Sequence, residues 1–386
     1  MIRPLILLTL LAAPALAQTA PDQAVPAQTV PAQTAPARTA ATDAAPGDAP
    51  VVQVLSWGGD FSAAQAATMA RSFTAARAVE VRFADSDDPA GVVKTQVEAG
   101  NVTTDVASVG QGAAMRLCDE GDVLPIDPAT LAPGADGQPA AQDFWPGTLS
   151  DCFVPTDIYA TVIAYRTGAG APPQTAADFF DLERFPGRRG LGRTPQFTLE
   201  LALLADGVPP TEVYQVLATP EGVERAFARL DTIKDQTIWW EAGAQPIQLL
   251  ADGEVTMAHA YNGRVFKAAQ VDKLPLAILW DGQINEIEGW VIPKGAPRAD
   301  LARDFVAHST SPQELARFAA ELPYGPPRLS AQALVDGFAA AGKPAMAPHL
   351  PTVPDNMKNA LTVDPVFWAE HETQLRERFA AWLAAE

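Results

Sequence analysis

From Val51 onward, short apolar runs alternate with helical periods. The stretch "VVQVLSW" predicts a strand. "DFSAAQAATMARSFTAA" follows, with Phe61, Ala64, Ala67, Met69 and Phe73 at the spacing of one helix face. "VEVRFA" and "TDVASVG" predict two more strands, each followed by a helix that ends at a glycine, Gly100 and Gly121. In the middle, "ATVIAYR" predicts a strand, and "TAADFFDLERFPGRRG" a helix closed by a Pro-Gly turn. "FTLELALLADG" is so uniformly apolar that it predicts a buried helix. "PTEVYQVLAT" and "EGVERAFARLDTI" predict helices, as does "GAQPIQLLADGE", with Pro246 in its first turn. "VTMAHAYNGR" predicts a strand running into a turn. "LAILW" and "GWVIPKG" predict two separate strands, and the C-terminal part is helical. This alternation predicts an α/β layer fold with a mostly parallel sheet. The chain crosses over near "FVPTDIYATVIAY" and returns near "INEIEGWVIP", which makes two lobes of discontinuous chain. Ligands of such sheets sit in the crevice at the strand C-termini.

The first fifty residues have no such pattern. Residues 1–17, "MIRPLILLTLLAAPALA", predict a signal peptide: Arg3, an apolar stretch from Pro4 to Ala13, and small residues at Ala15 and Ala17. The apolar stretch is shorter than the roughly 20 residues that span a bilayer. Residues 18–50 are a tether of Ala, Pro, Gln and Thr with near-repeats of "VPAQT", unable to build a core. The remaining part is long enough for two domains of roughly 100–200 residues each. The formal net charge of −19 argues against nucleic acid as a partner. The chain holds two cysteines. In an oxidising compartment Cys118 and Cys152 are expected to form a disulfide.

No GxSxG, HExxH or P-loop motif is present. The four histidines, His259, His308, His349 and His371, are scattered without metal-ligand spacing. The eight tryptophans are more informative. Trp57, Trp239-Trp240, Trp280 and Trp290 stand at strand ends beside glycine or an acid. Rings beside carboxylates suit a cationic ligand, because the ring face attracts an ammonium and the carboxylate pairs with it.

"VLSWGGDF", "VKTQVEAGNVTTDVASV", "LLADGEVTMAHAYNGR", "GWVIPKGAPR" and "LPYGPP" occur in that order and resemble the solute-binding proteins of bacterial ABC importers, of the spermidine/putrescine-binding type. The resemblance covers nearly all of residues 51–386. It implies an α/β, two-lobed periplasmic-binding-protein fold that closes about a hinge. The lobes are expected to comprise 51–157 with 284–328, and 158–283 with 329–386. It implies a monomeric periplasmic receptor that hands its solute to an inner-membrane ABC permease, without catalysis or cofactor.

Carried over residue by residue, the resemblance places Trp57 at the aromatic closing the first strand, with Gly58 and Asp60 after it. Tyr261 takes the place of the Trp in the family's "WNG", Glu288 that of its amine-binding Asp, and Tyr324 that of its "GYP" tyrosine. Trp240 and Glu241 are expected to line the rest. Three features depart from the family. Gly110-Gln111-Gly112 stands where the family has Ser and Tyr after the third strand. Glu286-Ile287 stands where an aromatic is expected. The family's acidic pair at the buried mid-chain helix is replaced by "GRTPQFTLE", with Arg193. A site with Glu288 at one end and Arg193 at the other suits an ω-amino acid such as γ-aminobutyrate, since arginine favours a carboxylate. Family membership favours putrescine or spermidine, and the ω-amino acid is the alternative. An exported enzyme on the same fold is the alternative of another class; it would need a reactive residue facing Glu288.

Overall fold

The computed structural model describes residues 50–168, 170–338 and 345–385. The expected signal peptide and residues 18–49 of the expected tether lie outside the described residues. One sheet organises the chain. Its strands are β1 (Val51–Ser56), β2 (Glu80–Asp85), β3 (Val106–Gly110), β4 (Val154–Arg166), β5 (Arg189–Gly192), β6 (Thr237–Trp240), β7 (Met257–Tyr261), β8 (Leu276–Val291) and β9 (Leu361–Thr362). Their order is β2-β1-β3-β8-β4-β7-β5-β6, with β9 beside β8. The β1, β2 and β3 strands run parallel, as do β7, β5 and β6. β8 is antiparallel to β3 and β4, and β4 to β7.

Two strands differ from the sequence pattern. "LAILW" and "GWVIPKG" belong to one 16-residue strand, β8, because the polar run between them stays paired with β4. β4 is likewise longer than "ATVIAYR" and starts at Val154. "TAADFF" forms only a 3-10 turn over Ala176–Phe180. Its Asp178 carboxylate accepts from the backbone N–H groups of Gln174 and Thr175 instead of facing solvent on a helix. The four-residue strands β5 and β6 are too short to show a period.

The sheet carries two main cores. Val52, Phe73, Val106, Trp290, Phe305 and Phe318 belong to the first. Leu199, Leu201, Phe227, Met257, Phe367 and Phe379 belong to the second. "FTLELALLADG" forms a helix, Thr198–Ala205, buried at every position, as its composition requires. Ala331, Val335, Met346 and Leu350 pack into the first core, so the buried chain after Arg328 does not cross directly to the second.

Cys118 and Cys152 are joined, with Cα atoms 5.9 Å apart. The bridge closes a loop of sequence separation 34, for which the chain-entropy model gives about 3–4 kcal/mol. Reduction with a thiol should therefore lower the melting temperature by several degrees, read by circular dichroism with and without reductant. An unchanged Tm would mean that the reduced chain stays equally constrained.

Candidate functional site

Side chains two apart on a strand share a face, and directly paired residues share it across strands. On β8 this puts Glu286 and Glu288 together. Across the ladder, Tyr159 pairs with Glu286 and Asp157 with Glu288, both from β4, while Gly110 at the end of β3 faces Glu288 from the other side. Three carboxylates thus come from a six-residue patch of sheet. The Trp57 Nε1–H donates to Glu288 Oε2 at 3.0 Å, the Tyr159 hydroxyl donates to Glu286, and Thr156 Oγ1 donates to Asp157 Oδ2 at 2.8 Å. Glu288 is 6% exposed and Asp157 is fully buried.

Burial dominates the electrostatics. It pushes Asp157 up to about 7 and raises Glu286. Glu288 lies well above the usual carboxylate range, first through burial and then through the neighbouring charges of Glu286 and Asp157. Among the described residues, no group of three or more His, Cys, Asp or Glu side chains is arranged to hold a metal ion.

Gly110 leaves the space over these acids open. A Cβ there would lie 3.1 Å from Glu286 Oε1 and 3.7 Å from Glu288 Oε1. Its backbone is ordinary extended chain, with φ −66°, so alanine strains nothing. Gly110→Ala should keep the fold and weaken amine binding roughly ten- to hundredfold, the effect of about 1–3 kcal/mol of overpacking. Calorimetric titration checks this; an unchanged Kd would place the ligand elsewhere.

Rings stand beside the acids. Tyr159 meets Tyr261 edge-on at 5.6 Å and Tyr324 at 5.8 Å between centroids. Trp240 meets Tyr261 at 6.1 Å, and Phe61 meets Tyr324 at 6.0 Å. Asn262 fixes this group. Its Oδ1 accepts from the Ala160 N–H at 3.0 Å, and its Nδ2 donates to the Pro323 carbonyl at 2.6 Å. Gly263 is required beside it, since a Cβ would come within 2.7 Å of the Tyr324 ring. The Trp240 Nε1–H is buried without an acceptor among the described residues. The Arg264 guanidinium lies 5.8 Å from the Tyr261 ring centroid, and no carboxylate among the described residues forms an ion pair with it.

The structure therefore brings together Trp57, Trp240, Tyr261, Glu288 and Tyr324. Other expected residues have different partners. Asp60 is paired with Lys267 Nζ at 2.7 Å. The Gly58 N–H donates to Ser62 Oγ, itself bonded to Asp85. Gly58 and Gly59, at φ 77° and 58°, serve the turn into the helix. Arg193 does not face Glu288 as a free cation: it pairs with Glu241 at 2.9 Å, and both are exposed. Trp290, grouped with the ligand-facing rings by its acidic neighbour, is a core residue, fully buried and bonded to Ser309. Asp157, Tyr159, Glu286 and Arg264 are additions. Glu286 was readable in principle from alternation along β8, two residues from Glu288, whereas Asp157 and Tyr159 needed the register of β4 on β8.

Fold and site define a receptor for a small solute, and the sequence agrees. The profile of a family described as bacterial extracellular solute-binding protein matches residues 68–352. The chain belongs to that family, whose members bind solutes and are not enzymes. It is 41% identical over 342 residues to the γ-aminobutyric acid-binding protein of Pseudomonas aeruginosa, covering 88% of this chain and 93% of that one. Among solved structures, the protein MotA from A. tumefaciens B6 in complex with glucopine is 30% identical with a TM-score of 0.75, over 86% of this chain and 99% of that chain. A γ-aminobutyrate receptor is 30% identical with a TM-score of 0.74, over 87% and 98%. The spermidine/putrescine-binding protein of Streptococcus pneumoniae shares the fold, with a TM-score of 0.66 over 87% and 100%, at only 16% identity. The periplasmic-binding-protein fold expected from the sequence is thus the observed one. The spermidine/putrescine subtype is the part of the resemblance that these relatives do not favour.

Proposed function

We propose that this chain is a periplasmic receptor of an ABC importer that captures γ-aminobutyrate or a close ω-amino acid. The observation that carries this reading is a split of unmet charge. Glu288 and Asp157 lie buried and Glu286 half-buried, with no opposing cation among the groups that perturb them. Arg264, exposed and without an acid partner among the described residues, and the buried Trp240 N–H without an acceptor both lie against Tyr261. An ammonium at the acids and a carboxylate at Arg264 and Trp240 meet both needs, with the methylenes against Tyr159 and Tyr261. Arg264 thereby takes the role expected of Arg193. The 41% identity to a γ-aminobutyrate-binding protein supports the same choice. Putrescine remains the second reading, favoured by the acids alone.

The two cores support two lobes, one built on 51–157 with 284–350 and the other on 158–283 with 361–385. β4 and β8 would join them as hinge strands, and hinge closure is an established mode of such receptors. The receptor would act as a monomer and deliver its solute to an inner-membrane permease after export by the signal peptide.

Isothermal titration of the mature protein with γ-aminobutyrate, putrescine, spermidine and glutamate tests the reading. Tight binding of γ-aminobutyrate and weak binding of putrescine is the expected result. The reverse order would restore the polyamine class.

A further inference from the structure

Asp157 is fully buried on β4, opposite Glu288. Its Oδ2 accepts from Thr156, but its Oδ1 has neither a hydrogen-bond partner nor contact with solvent. An ionised carboxylate left in that state is costly. The groups around it offer no relief. β8 contributes Glu286 and Glu288, both acids. Tyr159 of β4, Tyr261 of β7 and Tyr324, just after the helix Pro312–Glu321, are tyrosines that burial holds protonated. Trp57 gives its N–H to Glu288. Arg264 acts on Tyr261 and Tyr324 but is not among the charges that perturb the three acids. Two neighbouring buried carboxylates, Asp157 and Glu288, with the half-buried Glu286 beside them and no cation, cannot all ionise.

Resting on the amine reading above, we propose that Asp157 is a third carboxylate of the ammonium site, sharing with Glu288 a proton that an incoming primary ammonium displaces to solvent. The step balances simply. The carboxylic O–H breaks and its proton goes to buffer. The ammonium keeps its three protons and donates one to Asp157 Oδ1 in place of the missing partner. Nothing is oxidised or reduced. The site then selects primary ammonium, whose three N–H donors match three carboxylates, over a quaternary one that has none. Burial pushing Asp157 up to about 7 agrees with a proton held there near neutrality. For such a pair the titration belongs to both acids together. Below it, affinity should fall by about tenfold per pH unit, the slope of one displaced proton.

The test uses the mature protein, titrated calorimetrically with γ-aminobutyrate and with putrescine at pH 7 in two buffers of different ionisation enthalpy. Release of roughly half a proton per bound ligand is expected at that pH, rising toward one in a repeat at about pH 6, with markedly less from Asp157→Asn. In parallel, carboxyl carbon NMR of the ligand-free protein, assigned by the signal missing in Asp157→Asn, should show that group titrating near neutrality. Should that variant not fold, Thr156→Val removes the one hydrogen bond to the carboxylate and should move its titration further up. Amine binding without proton release, or an Asp157 titration near the ordinary value of about 4, overturns the proposal and leaves the amine reading standing. Failure of both amines to bind overturns the amine reading and the displacement with it.

Discussion

Arg264→Gln should weaken γ-aminobutyrate binding by about 2 kcal/mol, or roughly thirtyfold in Kd, provided that closure over the solute buries a guanidinium that is exposed in the ligand-free chain. Putrescine, which has no carboxylate, should bind the variant no worse than the wild type. The contrast comes from where the guanidinium stands. It packs beside Tyr261 without an acid partner, so an arriving carboxylate displaces no existing ion pair. Arg193→Ala is the control. Its guanidinium already faces Glu241 in an exposed pair, and such pairs are worth about 0–1 kcal/mol. Titration of both variants with both solutes decides the matter. Equal loss for both solutes, or a larger loss from Arg193→Ala, would return the carboxylate end to Arg193.

Glu288→Gln should act on binding and on stability in opposite senses. Binding of any amine should weaken by about 2–5 kcal/mol, because the ammonium loses its charged acceptor. The ligand-free protein should become no less stable at pH 8, and less sensitive to pH. The acids here have folded-state values above their unfolded ones, as Asp157 shows with about 7 against 3.8. Between those values the folded chain binds more protons than the unfolded chain. Stability therefore falls as pH rises through that window and is fullest below it. Replacing one of three mutually repelling acids removes part of that slope. Thermal melts from pH 4 to 8, with and without solute, check both signs. A variant that loses stability at pH 8 would show that the Glu288 carboxylate supports the fold rather than straining it.

Much of the fold was legible in the sequence because its signals are local. A uniformly apolar helix at Thr198–Ala205 and the strand-to-helix step at Ser56–Gly59 announce themselves within a few residues. β5 and β6 carry no pattern, since four residues with both faces covered show no period. The candidate site was legible at Trp57, Tyr261, Glu288 and Tyr324, each set in a motif of its own. Glu286 was passed over because it stood where a ring was expected. Asp157 and Tyr159 were passed over because only the register of β4 on β8 shows what they face. The pairing of Arg193 was hidden for a related reason: its partner Glu241 is 48 residues away, joined to it by the pairing of β5 and β6.

The indole N–H of Trp57 rests on the Glu288 carboxylate. Indole emission responds to the charge and polarity around that ring, so on the proposed site the protein has a fluorophore bonded to the carboxylate that would meet the ammonium. Occupancy of this receptor is in that sense written in its own ultraviolet light, with no dye to attach.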